Sequence, residues 1–171
     1  MELILLRHPV PAVAPDVCYG RTDVDLRPGL EDPARLPAPV PPFASLATSP
    51  LSRCRLLADR LGAERGVKPC VDPRLSEMDF GGWESRPWAE INRAELDAWA
   101  ADFEHARPHG GETVAEVRNR VAAALRDAAT GEGPALWVTH GGVARAVCGI
   151  LGAYRGWDTR LGFGRTLSVT V

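Results

Sequence analysis

Short apolar runs alternate along the chain with segments of helical period. Residues 3–6 are apolar throughout, which is typical of a strand buried on both faces. Residues 46–48, 67–71 and 134–139 form further short apolar segments, and apolar residues alternate over 167–171. Because helical patterns separate most of these strands, we predict an α/β fold: a three-layer sandwich with a mainly parallel central sheet and helices on both faces.

Local signals predict where the helices begin. Ser49 and Pro50 supply an N-cap and a first-turn proline for the first helix. Ser85 and Pro87 begin the second, and Thr113 begins a capping box for the third. The predicted helices cover about residues 50–63, 85–104, 114–130 and 143–151.

A long stretch without regular structure separates the first two predicted strands. Residues 9–43 are dense in proline and glycine, and the prolines of residues 33–42 block a sustained helix. A loop of this length inside a compact domain is often functional. The whole chain has 171 residues, and this length suits one domain over residues 1–171.

Composition and charge exclude several classes of protein. The net charge of −2 gives no general reason to bind nucleic acid. No apolar run approaches the roughly 18 residues that a membrane span needs. Glu2 and Arg7 interrupt the N-terminal region in a way that does not suit a signal peptide. We therefore expect a soluble, cytoplasmic chain that binds neither nucleic acid nor a membrane.

The basic and sulfur-containing residues narrow the chemistry further. Of the 20 basic residues 19 are arginine, and Lys68 is the single lysine. Arginine is planar, permanently charged and suited to holding phosphate through paired hydrogen bonds. The cysteines form no C-x-x-C pair and have no histidine at zinc spacing, so we expect buried free thiols without disulfide bonds or a zinc site. They are Cys18, Cys54, Cys70 and Cys148.

Two histidines directly follow predicted parallel strands. His8 follows the first strand and is preceded by Arg7, and His140 follows the penultimate strand and is succeeded by Gly141 and Gly142 at a predicted helix start. Ligands of open α/β sheets bind at the carboxyl ends of strands. Helix N-termini attract anions, and glycine lets a ligand approach the backbone. A single histidine here could equally be structural, but the pair indicates an anion site.

Five short motifs occur in order along the chain: Leu6–His8, Thr48–Arg53, Leu75–Glu84, Gly111–Thr113 and Val138–Gly142. Together they resemble the motifs of the histidine phosphatase superfamily, which contains cofactor-dependent phosphoglycerate mutases and many small phosphatases. The resemblance covers residues 3 to about 152 and implies a phosphoglycerate mutase-like fold.

This resemblance also implies residue roles. His8 would be the nucleophile that forms a phosphohistidine, and Glu77 would be the general acid and base. The phosphoryl group would be held by Arg7, Arg53 and His140. Two guanidinium groups and a protonatable imidazole match the charge of a phosphomonoester, so we expect neither a metal nor a cofactor.

Each role makes a physical demand. His8 must present a neutral ring nitrogen to phosphorus, so its other nitrogen should donate to a fixed acceptor such as a backbone carbonyl. Arg53 lies in the first turn of a helix, where a cation is unfavourable unless an anion offsets it; a solvated surface cation is the alternative. For Glu77 the alternative interpretation is an ordinary carboxylate at the protein surface. Gly141 would offer its backbone to the substrate.

The loop over residues 18–26 carries a second level of resemblance. The string over residues 18–23, taken with residues 76–84, looks most like α-ribazole phosphatases, which act in cobalamin assembly. Family members use this region to contact phosphate and substrate, which implies Arg21 and Thr22 as substrate contacts. An ordinary polar turn is the alternative.

Further residues have less specific interpretations. We expect surface or loop-packing roles for His105 and His109, because neither matches a catalytic position of the family. The resemblance suggests that Glu112 lies near the site, beside the helix cap Thr113. We expect Trp83, Trp88 and Trp99 to lie in the core or in the wall of the pocket.

The chain also departs from the family pattern. Pro9 follows the histidine where the family usually has glycine, so one backbone N–H is lost. The chain is shorter than the mutases, whose insertions cover the active site, and a more open pocket favours water as the acceptor. We therefore predict a phosphomonoester hydrolase acting on a small phosphorylated metabolite, with α-ribazole 5′-phosphate as one candidate. A phosphoglycerate mutase-type phosphotransferase and a non-catalytic phosphate-binding module are the alternatives, and monomer and homodimer both stay open.

Overall fold

A computed structural model describes residues 1–171 and contains one five-stranded sheet. The strand order is β3-β2-β4-β1-β5, in which β1 to β4 are parallel and β5 runs antiparallel to β1. The predicted α/β fold with a mainly parallel sheet is confirmed. The strands are β1 Glu2–Arg7, β2 Ser45–Thr48, β3 Cys70–Val71, β4 Ala135–Thr139 and β5 Thr166–Thr170.

Four helices accompany the sheet: α1 Ser52–Arg65, α2 Arg93–Ala101, α3 Val114–Ala128 and α4 Gly141–Leu151. The long segment between β1 and β2 contains one 3-10 turn, Pro33–Arg35, in agreement with its prolines. None of the helices is long and apolar enough to cross a lipid bilayer.

The continuous apolar run of β1 has a simple cause: both faces of the sheet are covered. Leu3 and Leu5 belong to the core that α3 and α4 complete, and Ile4 and Leu6 belong to the core that α1 completes. All four side chains are fully buried. The predicted layers are therefore present, and the carboxyl ends of β1, β2 and β4 meet at one edge of the sheet.

Helix starts were the least accurate predictions. The first helix begins at Ser52 and not at Pro50: Leu51 is its N-cap residue, and the Ser49 hydroxyl instead accepts a hydrogen bond from the Leu51 N–H at 3.3 Å. The capping box at Thr113 is confirmed, since its side chain accepts from the Glu116 N–H and the Glu116 carboxylate accepts from the Thr113 N–H.

The second predicted helix is much shorter than expected. Ser85 has a φ of 65°, a left-handed conformation that cannot begin a right-handed helix. A 3-10 turn over Trp88–Glu90 follows, and α2 begins at Arg93, where the side chain of Asn92 accepts from the Ala94 N–H. The predicted start at Ser85 and end at residue 104 were therefore both wrong.

The predicted strand over residues 67–71 is also reduced. Only Cys70 and Val71 pair with β2. Both residues are exposed at the edge of the sheet, so the expectation that every thiol is buried is wrong for Cys70. The other three cysteines are buried, and all four are free.

Candidate active site

Two neighbouring strands bring the two candidate histidines together. His8 follows β1 and His140 follows β4, and β1 pairs with β4 in parallel register, with Arg7 opposite Thr139. The imidazole centroids lie 5.1 Å apart. His8 is 1% exposed and His140 is fully buried, so the surrounding protein and not bulk water sets their protonation.

The backbone selects the tautomer of His8. Its Nδ1 lies 2.7 Å from the carbonyl oxygen of Pro9, and a carbonyl oxygen can only accept, so Nδ1 carries the proton. Burial is the main cause that lowers the pKa of His8 to about 3, and the charges of Arg53 and Arg7 add to it. His8 is therefore neutral near pH 7, with an unprotonated Nε2.

His140 is held in place by a hydroxyl group. Its Nε2 lies 2.8 Å from the Ser49 Oγ, and the Cys54 Sγ lies 3.4 Å from the same nitrogen. Burial lowers the pKa of His140 well below its ordinary value, and the charge of Arg53 acts in the same direction. His140 is neutral in the free protein, and it supplies a polar imidazole rather than a fixed charge.

Arg7 is the last residue of β1, and its guanidinium group contacts two residues of the segment before β5. Its Nη1 donates to the Leu161 carbonyl at 2.9 Å, and its guanidinium carbon lies 3.8 Å from the centroid of the Phe163 ring. That ring also lies 5.5 Å from the His8 ring. The Nε–H of Arg7 is buried and has no acceptor in the protein. This guanidinium therefore retains an unused donor.

Arg53 is fully buried and is not a solvated surface cation. It lies in the first turn of α1 and donates to the carbonyl of Gly20 at 2.6 Å and to that of Thr22 at 2.8 Å. A Cβ on Gly20 would overlap the Met78 carbonyl oxygen, so only glycine lets this loop approach. Like Arg7, Arg53 has a buried Nε–H without an acceptor.

Glu77 reaches the same edge of the sheet from the segment after β3. One carboxylate oxygen accepts from the Met78 N–H and the other from the Gly142 N–H, each at 3.0 Å. Gly142 lies in the first turn of α4, and a Cβ there would overlap the carboxylate. The charge of Glu77 acts on Arg7. His8, His140, Arg7, Arg53 and Glu77 are thus brought together.

Arg21 and Thr22, which the sequence predicts as substrate contacts, belong to the loop whose carbonyls accept from Arg53. The Arg21 side chain is exposed, and the Thr22 hydroxyl donates to Glu84. The carboxylate of Glu84 also accepts from the backbone N–H groups of Arg21, Thr22 and Phe80, and these hydrogen bonds hold its pKa below the usual value despite burial. Glu84 thereby fixes the loop whose carbonyls hold Arg53.

Gly141 and Glu112 both lie next to the site. The Cα of Gly141 lies beside the Arg7 guanidinium, and a Cβ there would stand 3.4 Å from Cζ. Glu112 pairs with Arg120 at 2.8 Å and accepts from the Asp79 N–H at 3.1 Å. Sequence reasoning placed Glu112 near the site but missed Arg120, because one arginine among several on a helix carries no distinguishing signal.

The other histidines and tryptophans singled out in the sequence lie outside the cluster around His8, either in the packed interior, at the surface or in the wall of a cavity. His105 is exposed, and His109 is buried with its ring centroid 4.8 Å from that of Trp83. Trp83 is buried, Trp88 is 37% exposed, and Trp99 lines a cavity. These places agree with the sequence expectations, apart from the exposed Trp88.

Glu77 and Gly142 belong to the lining of a cavity of about 710 Å³. Four aromatic residues line it: Phe80, Trp99, Phe103 and Trp157. Arg145, Arg155 and Arg160 also line it, together with Asp158. Its volume is typical of sites for small organic ligands. No group of three or more His, Cys, Asp or Glu side chains is placed to hold a metal ion.

Fold and site together define an α/β protein in which two histidines and two arginines meet at the carboxyl edge of the sheet, where open α/β sheets bind their ligands. The sequence profile of the histidine phosphatase superfamily (branch 1) matches residues 3–171. The chain belongs to this superfamily.

Individual relatives agree with that assignment. An adenosylcobalamin/α-ribazole phosphatase of Salmonella typhimurium is 32% identical over 83 residues, which is 47% of this chain and 41% of the relative. The match thus spans less than half of that protein's length. The crystal structure of TTHB049 from Thermus thermophilus has 30% identity and a TM-score of 0.77 over 99% of this chain and 93% of its own. The α-ribazole phosphatase of Shigella flexneri has 25% identity and a TM-score of 0.81 over 100% and 91%.

Proposed function

We propose that the protein is a metal-independent phosphomonoester hydrolase that works through a phosphohistidine on His8. The observation that carries the proposal is a neutral imidazole with its Nδ1 fixed by Pro9, beside two guanidinium groups that each retain a buried Nε–H without an acceptor. Phosphate oxygens would supply the acceptors. Membership of the superfamily, and the relatives named as phosphatases, support the same activity.

In the first half-reaction the His8 Nε2 attacks phosphorus while the ester P–O bond breaks. Arg7 and Arg53 neutralise the charge on the equatorial oxygens of the phosphoryl group, and His140 adds a polar contact. The departing alkoxide takes the proton that the Glu77 carboxyl group carries, and the alcohol leaves.

In the second half-reaction water attacks the phosphohistidine. The P–N bond breaks, inorganic phosphate forms, and the Glu77 carboxylate takes a proton from the water. The site therefore returns to the state in which the ester reacted, with a neutral His8 and the transferred proton back on Glu77. One carboxyl group serves as acid and base in turn.

The substrate we propose is a small phosphorylated metabolite, with α-ribazole 5′-phosphate as a candidate. Two relatives named above are α-ribazole phosphatases. The aromatic walls of the cavity beside Glu77 suit a flat heterocyclic base.

The test is hydrolysis of p-nitrophenyl phosphate in excess chelator by the wild type and by His8→Asn. We expect activity that survives chelation and disappears in the variant. His105→Asn is the matched control, because His105 is exposed and lies outside the site, and it should keep wild-type activity.

Two other results would favour the alternatives. Phosphate binding without turnover across a broad panel of phosphoesters would indicate a non-catalytic binding module. Isomerisation of labelled 3-phosphoglycerate instead of its hydrolysis would indicate a mutase.

A further inference from the structure

We propose that the cavity beside Glu77 accepts phosphomonoesters whose alcohol portion carries a flat ring, and that it prefers those with a second anionic group, a carboxylate or a further phosphate, over neutral ones such as α-ribazole 5′-phosphate. This inference rests on the proposed phosphatase function and specifies the substrate class for the same site.

The position of the cavity makes it the place for the leaving group. If Glu77 protonates the departing oxygen, that oxygen must lie beside the carboxyl group, and the rest of the alcohol must extend away from His8. Glu77 and Gly142, which are joined by a hydrogen bond of 3.0 Å, both line the cavity. A volume of about 710 Å³ accommodates a ligand of nucleotide or aryl-glycoside size.

Aromatic side chains form a continuous wall. The ring centroids of Phe80 and Trp99 lie 6.2 Å apart, those of Trp99 and Phe103 5.0 Å, and those of Phe103 and Trp157 5.6 Å. Such a wall offers apolar surface and ring faces to a planar group. It accounts for the flat ring in the proposed substrate class.

Three guanidinium groups reach the same cavity. Arg145, Arg155 and Arg160 line it, and none of them has a carboxylate oxygen within the 4.0 Å of an ion pair. The side chain of Arg145 donates to the Thr159 carbonyl at 3.3 Å, and those of Arg155 and Arg160 make no hydrogen bond within the protein. Asp158 is the one carboxylate in the lining besides Glu77. Apart from Glu77, three arginines and one carboxylate line the cavity, so positive charge is in excess there.

The cavity adjoins the proposed catalytic site, because Glu77 belongs to both. The charge of Arg145 acts on Arg7 and helps to lower its pKa. A dianionic phosphate at His8 would neutralise Arg7 and Arg53, and Arg155 and Arg160 would then remain without a counter-charge. A second anion on the alcohol would supply that charge, whereas a neutral alcohol would leave both guanidinium groups to water.

The test compares esters that differ in one charge. The probes are 3- and 4-carboxyphenyl phosphate and the matching carbamoylphenyl phosphates, which have nearly the same size and shape. For at least one isomer we expect the wild-type KM of the carboxylate to be about fivefold lower than that of the amide, with the preference decreasing at high salt. The double variant Arg155→Gln/Arg160→Gln should lose the preference, and Arg126→Gln, an exposed arginine of α3 outside the cavity, should keep it.

The outcomes separate this inference from the function on which it rests. Equal KM values for both members of each pair, with hydrolysis of all four esters, would overturn the selectivity and leave the phosphatase intact. A preference that persists in the double variant would also overturn it. If none of the esters is hydrolysed and no phosphoryl group becomes attached to His8, the proposed phosphatase function itself would be wrong.

Discussion

The Nδ1 of His8 and the carbonyl oxygen of Pro9 lie 2.7 Å apart, so the residue that departs from the family pattern is also the one that sets the tautomer of the candidate nucleophile. Proline removes a backbone N–H at this point, but it retains the carbonyl and restricts φ. The hydrogen bond occupies Nδ1 and therefore leaves Nε2 as the ring nitrogen with an available lone pair. Pro9 is compatible with the proposed chemistry.

A direct consequence is the position of the phosphoryl group on the ring. We expect a phosphoenzyme trapped with a slowly hydrolysed ester to carry phosphorus on the Nε2 of His8. The measurement is 31P NMR of the alkali-denatured protein together with peptide mapping. His8→Asn should not be labelled, and phosphorus on Nδ1 or on His140 would contradict the assignment.

The two buried histidines also predict how stability changes with pH. The pKa of His8 is lowered to about 3 from an ordinary value of 6.5, and that of His140 is lowered well below 6.5. At pH values between the folded-state pKa and the ordinary pKa of each histidine, the unfolded state binds more protons than the folded state. The free energy of unfolding therefore increases with pH in that range. Each buried histidine contributes about 1.4 kcal/mol per pH unit within its window.

Denaturant unfolding followed by circular dichroism at several pH values checks this linkage. We expect the wild type to lose stability as the pH falls from 6.5 toward 4. His8→Asn should decrease the slope by about 1.4 kcal/mol per pH unit between pH 5.5 and 4.5. Carboxylates such as Glu84 titrate in both proteins, so their effect cancels in the comparison. Equal slopes would show that His8 is not held neutral by the fold.

The strand pattern and the site could be predicted from the sequence for related physical reasons. A strand buried on both faces must be apolar throughout, so β1 and β4 are visible as short runs, and the polar residues that follow them must lie at the edge of the sheet. His8 and His140 therefore indicated the site. Motif resemblance then added Arg53 and Glu77, which have no comparable local signal.

Long-range hydrogen bonds explain what the sequence did not predict. The Thr22 hydroxyl donates to Glu84, which lies 62 residues further along the chain, and no local pattern indicates that pairing. The helix expected from Ser85 is absent because that residue adopts a positive φ, with its N–H donating to the Cys18 carbonyl. Local propensity contains no information on such partners, and tertiary contacts override it.

The role of Glu77 can be separated from general damage by the choice of leaving group. An alkyl phosphate needs a proton on its departing oxygen, whereas p-nitrophenolate is a good leaving group without one. We expect Glu77→Gln to decrease kcat/KM, which reports only the steps up to phosphorylation of His8, by about 10² to 10⁴ for alkyl phosphates and far less for p-nitrophenyl phosphate. Glu104→Gln, which removes a carboxylate paired with Arg118 away from the site, is the control. Equal losses on both esters would exclude Glu77 as the general acid.

The ion pair of Arg120 and Glu112 positions the backbone that carries Glu77. Arg120 donates to the carbonyls of Arg74 and Ser76 at 2.7 Å and to that of Glu77 at 3.2 Å. Both members of the pair are largely buried, with side-chain exposures of 14% and 17%. Arg120→Met would leave three carbonyls and a carboxylate without their donor, so the general acid should lose its fixed position.

We expect Arg120→Met to decrease kcat/KM for alkyl phosphates by about ten- to a hundredfold, since small displacements of a catalytic group have effects of this size. The decrease in kcat/KM for p-nitrophenyl phosphate should be smaller, because the departure of p-nitrophenolate in the first half-reaction does not need a proton from Glu77. Arg118→Met is a matched control on the same helix: Arg118 is 42% exposed, donates to Glu104 alone, and should leave both rates near wild type. A purely structural role for Arg120 would decrease both rates in the same proportion, and that result would contradict the positioning role.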